Sequence, residues 1–328
     1  MESFTAYRTF QEGDKVVSRF VPMTLAELDP GEVVVKIEYA SVNYKDALSH
    51  DGTGRIMRRF PCNAGIDSAG TVVSSTSPEF TPGQPVLCTS YDFGVAHDGG
   101  YSEYIRVPAE WVVPRHPAMS AFDAMVLGVA GFTAGLAVDR MEHNGLAPAK
   151  GPVVVNGATG GVGSVAIEIL AKRGYRVVAV TGKPEEEAYL RNLGATEILD
   201  RRTLDWGRRP LEKATWAGAV DNVGGDALAW MTRTMQQHGT IASCGLAGSH
   251  ELKTTVMPFI LRGVSLLGID SGFWPRAARI ALWDRLAVEW KPVKVAAAVQ
   301  TIGFRDLPQV FRRLLDGKMT GRYVVRIG

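Results

Sequence analysis

From Val153 to Gly163 the chain reads Val-Val-Val-Asn-Gly-Ala-Thr-Gly-Gly-Val-Gly, with Gly157, Gly160 and Gly163 at G-x-x-G-x-x-G spacing. Three consecutive valines predict a short buried strand over 152–155, and the apolar spacing that follows predicts a helix over 161–173, closed by Gly174. The glycines therefore fall in a strand-to-helix turn. Glycine lets the backbone turn tightly there and approach a ligand closely, while the first helical amides attract a diphosphate by hydrogen bonding and by the helix dipole. Thr159, Gly161 and Val162 complete that candidate cradle. A turn without a ligand accounts for one glycine but not for three, so the spacing points to a dinucleotide.

A second strand, over 176–180, runs into Thr181-Gly182-Lys183, where an NAD-binding turn carries Asp or Glu for the ribose diol. A carboxylate would repel a 2′-phosphate, whereas Thr181 and Lys183 donate hydrogen bonds to it and Lys183 adds charge. NADPH is thus favoured over NADH. Arg201, just past a third short strand at 197–199, is placed to close over the same phosphate. Glu185, Glu186 and Glu187 leave open a plainer alternative, an ordinary solvated face.

These turns need a sheet to hold them, and the sequence supplies one. After residue 151 strands and helices alternate: a helix at 184–193, strands at 218–220, 239–243 and 264–267, and a helix at 226–237. Apolar strands without alternation mark a doubly wound parallel sheet covered on both faces. Before it, strands at 33–39, 70–74, 84–88 and 101–107 are punctuated by Gly, Pro, Asp and Ser, which reads as an irregular β-rich domain. The texture changes near residue 121, where 123–141 is apolar at helical spacing. A helix at 307–315 and a strand at 322–327 close the chain. The expected organisation is a β-rich domain over 1–122, a nucleotide domain over 123–270, and a return over 271–328 that completes the first. The fold class is α/β.

Composition narrows the partners. In 328 residues Lys plus Arg is 36 and Asp plus Glu is 34, too balanced for a protein whose main partner is nucleic acid. Three cysteines are too few and too dispersed for a disulfide framework or a zinc knuckle. The stretch MESFTAYRTFQEGDKVV lacks the basic and apolar regions of a signal peptide, and no run of about 20 uninterrupted apolar residues predicts a membrane span. A cytoplasmic enzyme with no membrane partner is the expectation.

The arrangement resembles the medium-chain dehydrogenase/reductase superfamily over nearly the whole chain, with a GroES-like catalytic domain and a Rossmann domain. Zinc-dependent alcohol dehydrogenases of that superfamily carry a Cys after an early strand and a Gly-His-Glu somewhat later. The matching places here read Asn43-Tyr44-Lys45-Asp46 and Gly65-Ile66-Asp67, and the lobe of four cysteines is missing. A zinc-free enzyme is implied. The segments SVNYKDAL (41–48), FPCNAGIDSAGTV (60–72), GVAGFTAGL (128–136), WAGAVDNVGG (216–225), and CGLAGS (244–249) followed by LKTTVMPFILRGVSLLGIDS (252–271) are similar to the acryloyl-CoA reductase group, which overlaps a bacterial quinone-oxidoreductase-like family. That resemblance implies NADPH-dependent reduction of the 2,3 double bond of acryloyl-CoA to propanoyl-CoA.

The same resemblance implies roles for residues that spacing alone would not select. Asn43 and Tyr44 stand where a zinc ligand would, and are the candidates to line the reaction site; Tyr44 is also a cofactor contact or else an interface aromatic. Thr133, Leu246, Ile260, Ser271 and Arg322 are cofactor candidates. Asp67 reads as a local cap for the turn between Gly65 and Gly70. CoA carries phosphates, so Arg55, Arg58 and Arg59, with Lys45 upstream, are candidate substrate contacts, against the alternative of a solvated face. Two further readings remain open: a quinone or enone reductase, and a nucleotide-binding protein without turnover. Edge-to-edge pairing through 264–267 would give a homodimer.

Overall fold

The computed structural model describes residues 3–328. An amino-terminal hairpin, β1 (Phe4–Glu12) and β2 (Lys15–Met23), pairs antiparallel in register, and β1 also pairs β4 (Cys62–Asn63). The sequence reading began its strands only at residue 33 and missed this hairpin. Its charged cross-strand pairs, such as Arg8 opposite Arg19 and Glu12 opposite Lys15, dilute the apolar alternation. Between these strands and the next come β3 (Val33–Ser41), α1 (Tyr44–Asp51), β5 (Asp67–Ser75), β6 (Pro85–Thr89), β7 (Tyr104–Val107), β8 (Val112–Pro114) and the long α2 (Ala121–His143). In α2 the apolar run extends all round the helix. It is long and apolar enough to cross a bilayer, yet 83% of that stretch is buried within the protein, which makes it a core helix.

The alternating region follows as β9 (Val153–Val155), α3 (Gly161–Lys172), β10 (Val177–Thr181), α4 (Glu187–Leu193), β11 (Ala195–Asp200), β12 (Trp216–Asp221), α5 (Gly225–Thr234), β13 (Met235–Ser243), α6 (Met257–Arg262) and β14 (Ser265–Gly268). All six strands are parallel, in the order β11-β10-β9-β12-β13-β14. β9 and β12 at the centre are wholly buried, as strands covered on both faces must be. Strand order reverses between β9 and β12, so the carboxyl ends of those two strands border the crevice where such sheets take a ligand.

The helix expected over 226–237 stops at Thr234, a correction with a local cause. Met235 turns extended and pairs with Trp216 of β12. The Thr232 and Thr234 hydroxyls donate back to carbonyls of their own helix. Arg262 Nη1 donates to the carbonyls of Arg233 and Met235, each at 2.9 Å, which satisfies acceptors that the helix end leaves open.

The remainder comprises α7 (Arg276–Ala287), α8 (Val293–Ala297), β15 (Gln300–Gly303), α9 (Leu307–Leu315) and β16 (Tyr323–Arg326). α7 lies outside every helix expected from the sequence. β15 and β16 extend a mixed sheet, β15-β16-β3-β5-β6-β8, with β7 also on β3. The chain forms two compact units: the first holds residues up to Val129 with Gly272–Val288 and Ala298–Gly328, the second Ala130–Ser271 with Glu289–Ala297. The boundary falls inside α2, next to a break in the helix, and residues 289–297 stay with the nucleotide-type sheet.

That break is Gly128, at φ 52° and ψ −155°, a region open essentially to glycine alone. A Cβ there would lie 2.5 Å from both Asp67 Oδ2 and Ser41 Oγ, and 2.8 Å from Arg322 Nη2. Gly128→Ala should therefore cost about 3 kcal/mol or more. Denaturant unfolding measures it, and a loss below about 1 kcal/mol would show that the packing around Gly128 yields easily.

Candidate functional site

The second unit carries the glycine turn at the carboxyl end of β9. Gly157 has φ +56°, and a Cβ on it would stand 3.1 Å from Asn222 Cβ. At Gly163 a Cβ would collide with the Gly157 carbonyl, so glycine is required where α3 packs on the turn. Gly160 N donates to Gly157 O at 2.9 Å and closes the turn. Gly160 is also the N-cap of α3, and no side chain caps that terminus. The amides of Gly161, Val162 and Gly163 thus open a twelve-residue helix at the strand ends, with buried Thr159 beside them. This turn fits a dinucleotide diphosphate, since glycine lets the turn close tightly and leaves the first amides of an uncapped helix to receive an anion.

Thr181 ends β10, and Arg201 follows β11, its neighbour in the sheet. Arg201 N donates to Thr181 O at 2.8 Å, and the Arg201 guanidinium lies over Gly182 so closely that a side chain at 182 would meet it. Thr181 Oγ1 accepts from Lys183 N at 3.0 Å, which orders the turn. Partial burial lowers the Lys183 pKa, while Glu186 and Glu185 oppose that shift. The structure therefore brings together the four residues expected at a 2′-phosphate. It also joins two other expected positions, since Thr133 Oγ1 donates to Ser271 Oγ at 2.7 Å. Leu246 and Ile260, 63% and 72% exposed, lie on the loop after β13 and on α6.

In the first unit, Asn43 caps α1 and Tyr44 opens it, 44% exposed. Asp67 does not cap its own turn. Its wholly buried carboxylate accepts from Ser41 N at 3.0 Å, Ser41 Oγ at 2.6 Å, Asn43 Nδ2 at 2.9 Å and Val129 N at 2.9 Å, so it ties β3, the α1 cap and α2 together. Arg322, 3% exposed, donates to the carbonyls of Val126 at 2.8 Å and Val42 at 3.2 Å and to Ser41 Oγ at 2.8 Å. The structure thus places Arg322 in the Asp67 cluster, an environment the sequence reading had not foreseen.

Sequence reasoning missed Asp46 and Tyr101. Asp46 Oδ2 accepts from Asn43 N and Nδ2, each at 3.1 Å, and from Tyr101 O–H at 3.0 Å, while Oδ1 accepts from Ile66 N at 3.1 Å. The Asn-x-x-Asp spacing of 43 and 46 is a capping-box signal that could have found Asp46. Nothing in the sequence marks Tyr101, which lies 55 residues from Asp46. Burial raises the Asp46 pKa to about 7, with the Asp67 charge adding to it, and burial beside Asp46 holds the Tyr101 phenol well above its ordinary range.

The basic run separates into distinct environments. Arg58 pairs with Asp92, and Arg59 makes a two-pronged pair with Asp29 that continues to Asp98 and Arg8. Arg55 has a positive φ of 49° and is exposed. Two of the three arginines of the expected cluster thus pair with carboxylates, Arg58 at an exposed position and Arg59 in a partly buried network. Among the described residues no group of three His, Cys, Asp or Glu side chains is arranged to hold a metal ion.

Comparison with known proteins agrees with this architecture. Residues 29–117 match the alcohol dehydrogenase GroES-like domain and residues 161–287 the family described as zinc-binding dehydrogenase. An acrylyl-CoA reductase, AcuI, of Ruegeria pomeroyi is 45% identical over 97% of this chain and 96% of its own. YhfP of Bacillus subtilis, provisionally named a quinone oxidoreductase, is 44% identical over 99% of both chains. Its crystal structure, with NAD bound, matches at a TM-score of 0.96 over 99% of this chain and 100% of that one. The yhdH oxidoreductase of Salmonella enterica, solved with NADP, matches equally at 0.96, with 42% identity over 99% and 100% of the chains. Fold and sequence together define an oxidoreductase of the medium-chain dehydrogenase/reductase type. The chain belongs to the zinc-free, quinone-oxidoreductase-like family of that superfamily.

The Asp46 environment has a pH signature. Its folded pKa lies above the unfolded value of about 3.9, so the native state binds the extra proton and stability falls as pH rises toward about 7. Asp46→Asn should flatten the melting temperature against pH between those limits. An unchanged slope in the variant would assign the titration to another group.

Proposed function

We propose that this protein is an NADPH-dependent acryloyl-CoA reductase, converting the 2,3 double bond of acryloyl-CoA to propanoyl-CoA. The observation that carries the reading is the 45% identity, over nearly the full length of both chains, to a protein named for that activity. The cradle in the second unit supports the cofactor. Thr181, Lys183 and Arg201 would hold the 2′-phosphate, the first amides of α3 the diphosphate, and Thr133, Leu246, Ile260 and Ser271 the nicotinamide half. NADPH, when bound, supplies the hydride.

Reduction of an α,β-unsaturated thioester adds hydride to the β carbon and a proton to the α carbon, and negative charge develops on the thioester oxygen between the two events. Asn43 and Tyr44 would line the reacting carbons. Asn43 is held from three sides by Asp46, Asp67 and Ser41, so its amide is fixed before substrate arrives. The exposed Tyr44 hydroxyl or water would deliver the proton. Arg55 and Arg58 would meet the CoA phosphates, and Arg59, bonded to Asp29, would chiefly hold the local backbone. The quinone-reductase alternative draws on the name of the Bacillus relative and needs only an apolar pocket. A homodimer is also proposed, with the edge strand β14 and the exposed Val256 and Leu261 against a second copy; a monomeric mass in solution would remove that part.

NADPH consumption should be fast with acryloyl-CoA and slow with a simple quinone. Arg55→Ala with Arg58→Ala should raise KM for the CoA thioester about threefold or more and leave the quinone KM alone. Equal effects on both acceptors would remove CoA contact from these arginines, and faster quinone turnover would favour the alternative. For the cofactor, Lys183→Ala with Arg201→Ala should lower kcat/KM for NADPH by about a hundredfold while NADH changes by less than about threefold. Parallel losses with both nucleotides would refute the 2′-phosphate assignment.

A further inference from the structure

The crevice between the carboxyl ends of β9 and β12 is bridged by one side-chain pair. Asn156, the residue after β9, donates through Nδ2 to Asp221 Oδ1, the last residue of β12, at 2.5 Å. Asn156 Oδ1 accepts from Asn222 N at 2.6 Å, and Asn156 O accepts from Asn222 Nδ2 at 2.7 Å, so the bridge has three strands of hydrogen bonding. Asp221 is fully buried and gathers more donors: Gly224 N at 3.0 Å, Val223 N at 3.2 Å and Ser243 Oγ at 3.3 Å.

The third loop hangs on the same turn. After β13, Cys244 N and Gly245 N donate to Asp221 O at 2.9 and 3.2 Å, Ala247 N to Asn222 O at 3.4 Å, and Gly248 N to Val223 O at 2.9 Å. Leu246 lies inside that laced segment. Close approach is built in on both sides, since a Cβ on Gly157 would press on Asn222 and a Cβ on Gly245 would run into the Asn222 backbone. The Asp221 carboxylate fixes the turn after β12 against Asn156 and the glycine turn, and the main-chain carbonyls of that same turn, 221–223, hold the loop carrying Leu246, so the three loops share one anchor.

We propose that Asp221 is a positioning residue for the dinucleotide, fixing through Asn156 the distance between the glycine turn and the Leu246 loop and hence the seat of the nicotinamide half. This rests on the NADPH reading above. The adenosine half is served by Thr181, Lys183 and Arg201 at the ends of β10 and β11, where Asp221 makes no contact. Loss of the bridge should accordingly weaken NADPH far more than 2′,5′-ADP, which carries the 2′-phosphate and no nicotinamide. A merely structural role for Asp221 would weaken both alike or neither.

Asn156→Asp places a second carboxylate against Asp221. Adding Asp221→Asn restores a donor facing an acceptor across the crevice and leaves an acceptor for Gly224. Dissociation constants for NADPH and 2′,5′-ADP, with melting curves, should be measured at mildly alkaline pH on the wild type, Asn156→Asp and the double variant. Asn156→Asp should bind NADPH about tenfold or more weakly and 2′,5′-ADP within about threefold of wild type, and the double variant should regain NADPH to within about threefold. Equal weakening of the two ligands overturns the inference, as does a double variant that binds NADPH no better than Asn156→Asp. Should Asn156→Asp fail to fold, the double variant decides: folded with near-native NADPH affinity it supports the role, and unfolded or weak-binding it overturns it. A wild type that does not bind NADPH sinks the cofactor reading itself, which is a different failure from an unrestored pair.

Discussion

A carboxylate taken out of water must find donors for both of its oxygens or leave a penalty of several kcal/mol in the fold. Among the described residues five are buried in that way: Asp46, Asp67 and Asp98 in the first unit, and Glu168 and Asp221 in the second. None of the five is satisfied by a salt bridge alone. Four of them accept backbone amides from a segment distant in sequence, Asp46 from Ile66, Asp67 from Val129, Asp98 from Asn63 and Glu168 from Lys294 and Val295 at the start of α8, while Asp221 takes the local amides of Val223 and Gly224 and reaches distant segments through the side chains of Asn156 and Ser243. Because an amide donor is fixed to the main chain, satisfying the carboxylate also fixes a loop. The desolvation requirement thereby becomes a positioning device at the places where irregular backbone must hold one shape.

The glycines supply the complementary constraint. Gly128, Gly157 and Gly245 each stand where another group approaches too closely for a Cβ: the Asp67 carboxylate, Asn222 and the Asn222 backbone. A buried carboxylate draws loops together, and glycine sets how near they come. Around Asp67 this pairing holds Asn43 at the N-cap of α1, with exposed Tyr44 as the first residue of the helix. The segment proposed to line the reaction site is thus an ordered cap.

What could be read from the sequence was what is local in the sequence. The glycine turn, the Thr181 to Lys183 segment and the parallel sheet all declare themselves within about 30 residues, the span of a βαβ unit. Arg201 lies beside Thr181 because a short strand carries it there, and parallel neighbours end at the same side of a sheet. The Asp67 cluster was misread as a local cap because its donors lie 24 to 62 residues away, and no spacing rule reports such a contact. Arg322, 281 residues from Ser41, is the extreme case. The helix carried to 237 erred for a related reason: the signal that ends it at Thr234 is pairing with Trp216 and the distant guanidinium of Arg262, both tertiary. In the hairpin, cross-strand charge at its exposed positions hid the alternation.

Nucleotide choice at the ends of β10 and β11 follows from what is missing as much as from what is present. No carboxylate stands at Thr181, Gly182 or Lys183, which removes the repulsion a 2′-phosphate would meet from an acidic residue at the strand end. The attraction is divided unequally between the two cations. Burial biases Lys183 toward losing its proton, with Glu185 and Glu186 working against that loss, whereas a guanidinium keeps its charge across the working range of any enzyme. Lys183 and Arg201 are the two cations proposed to face a 2′-phosphate there, and the glutamates beside Lys183 favour its charged form against the effect of burial. A turn built this way attracts a 2′-phosphate without excluding a bare ribose diol, since neutral Thr181 can donate to either.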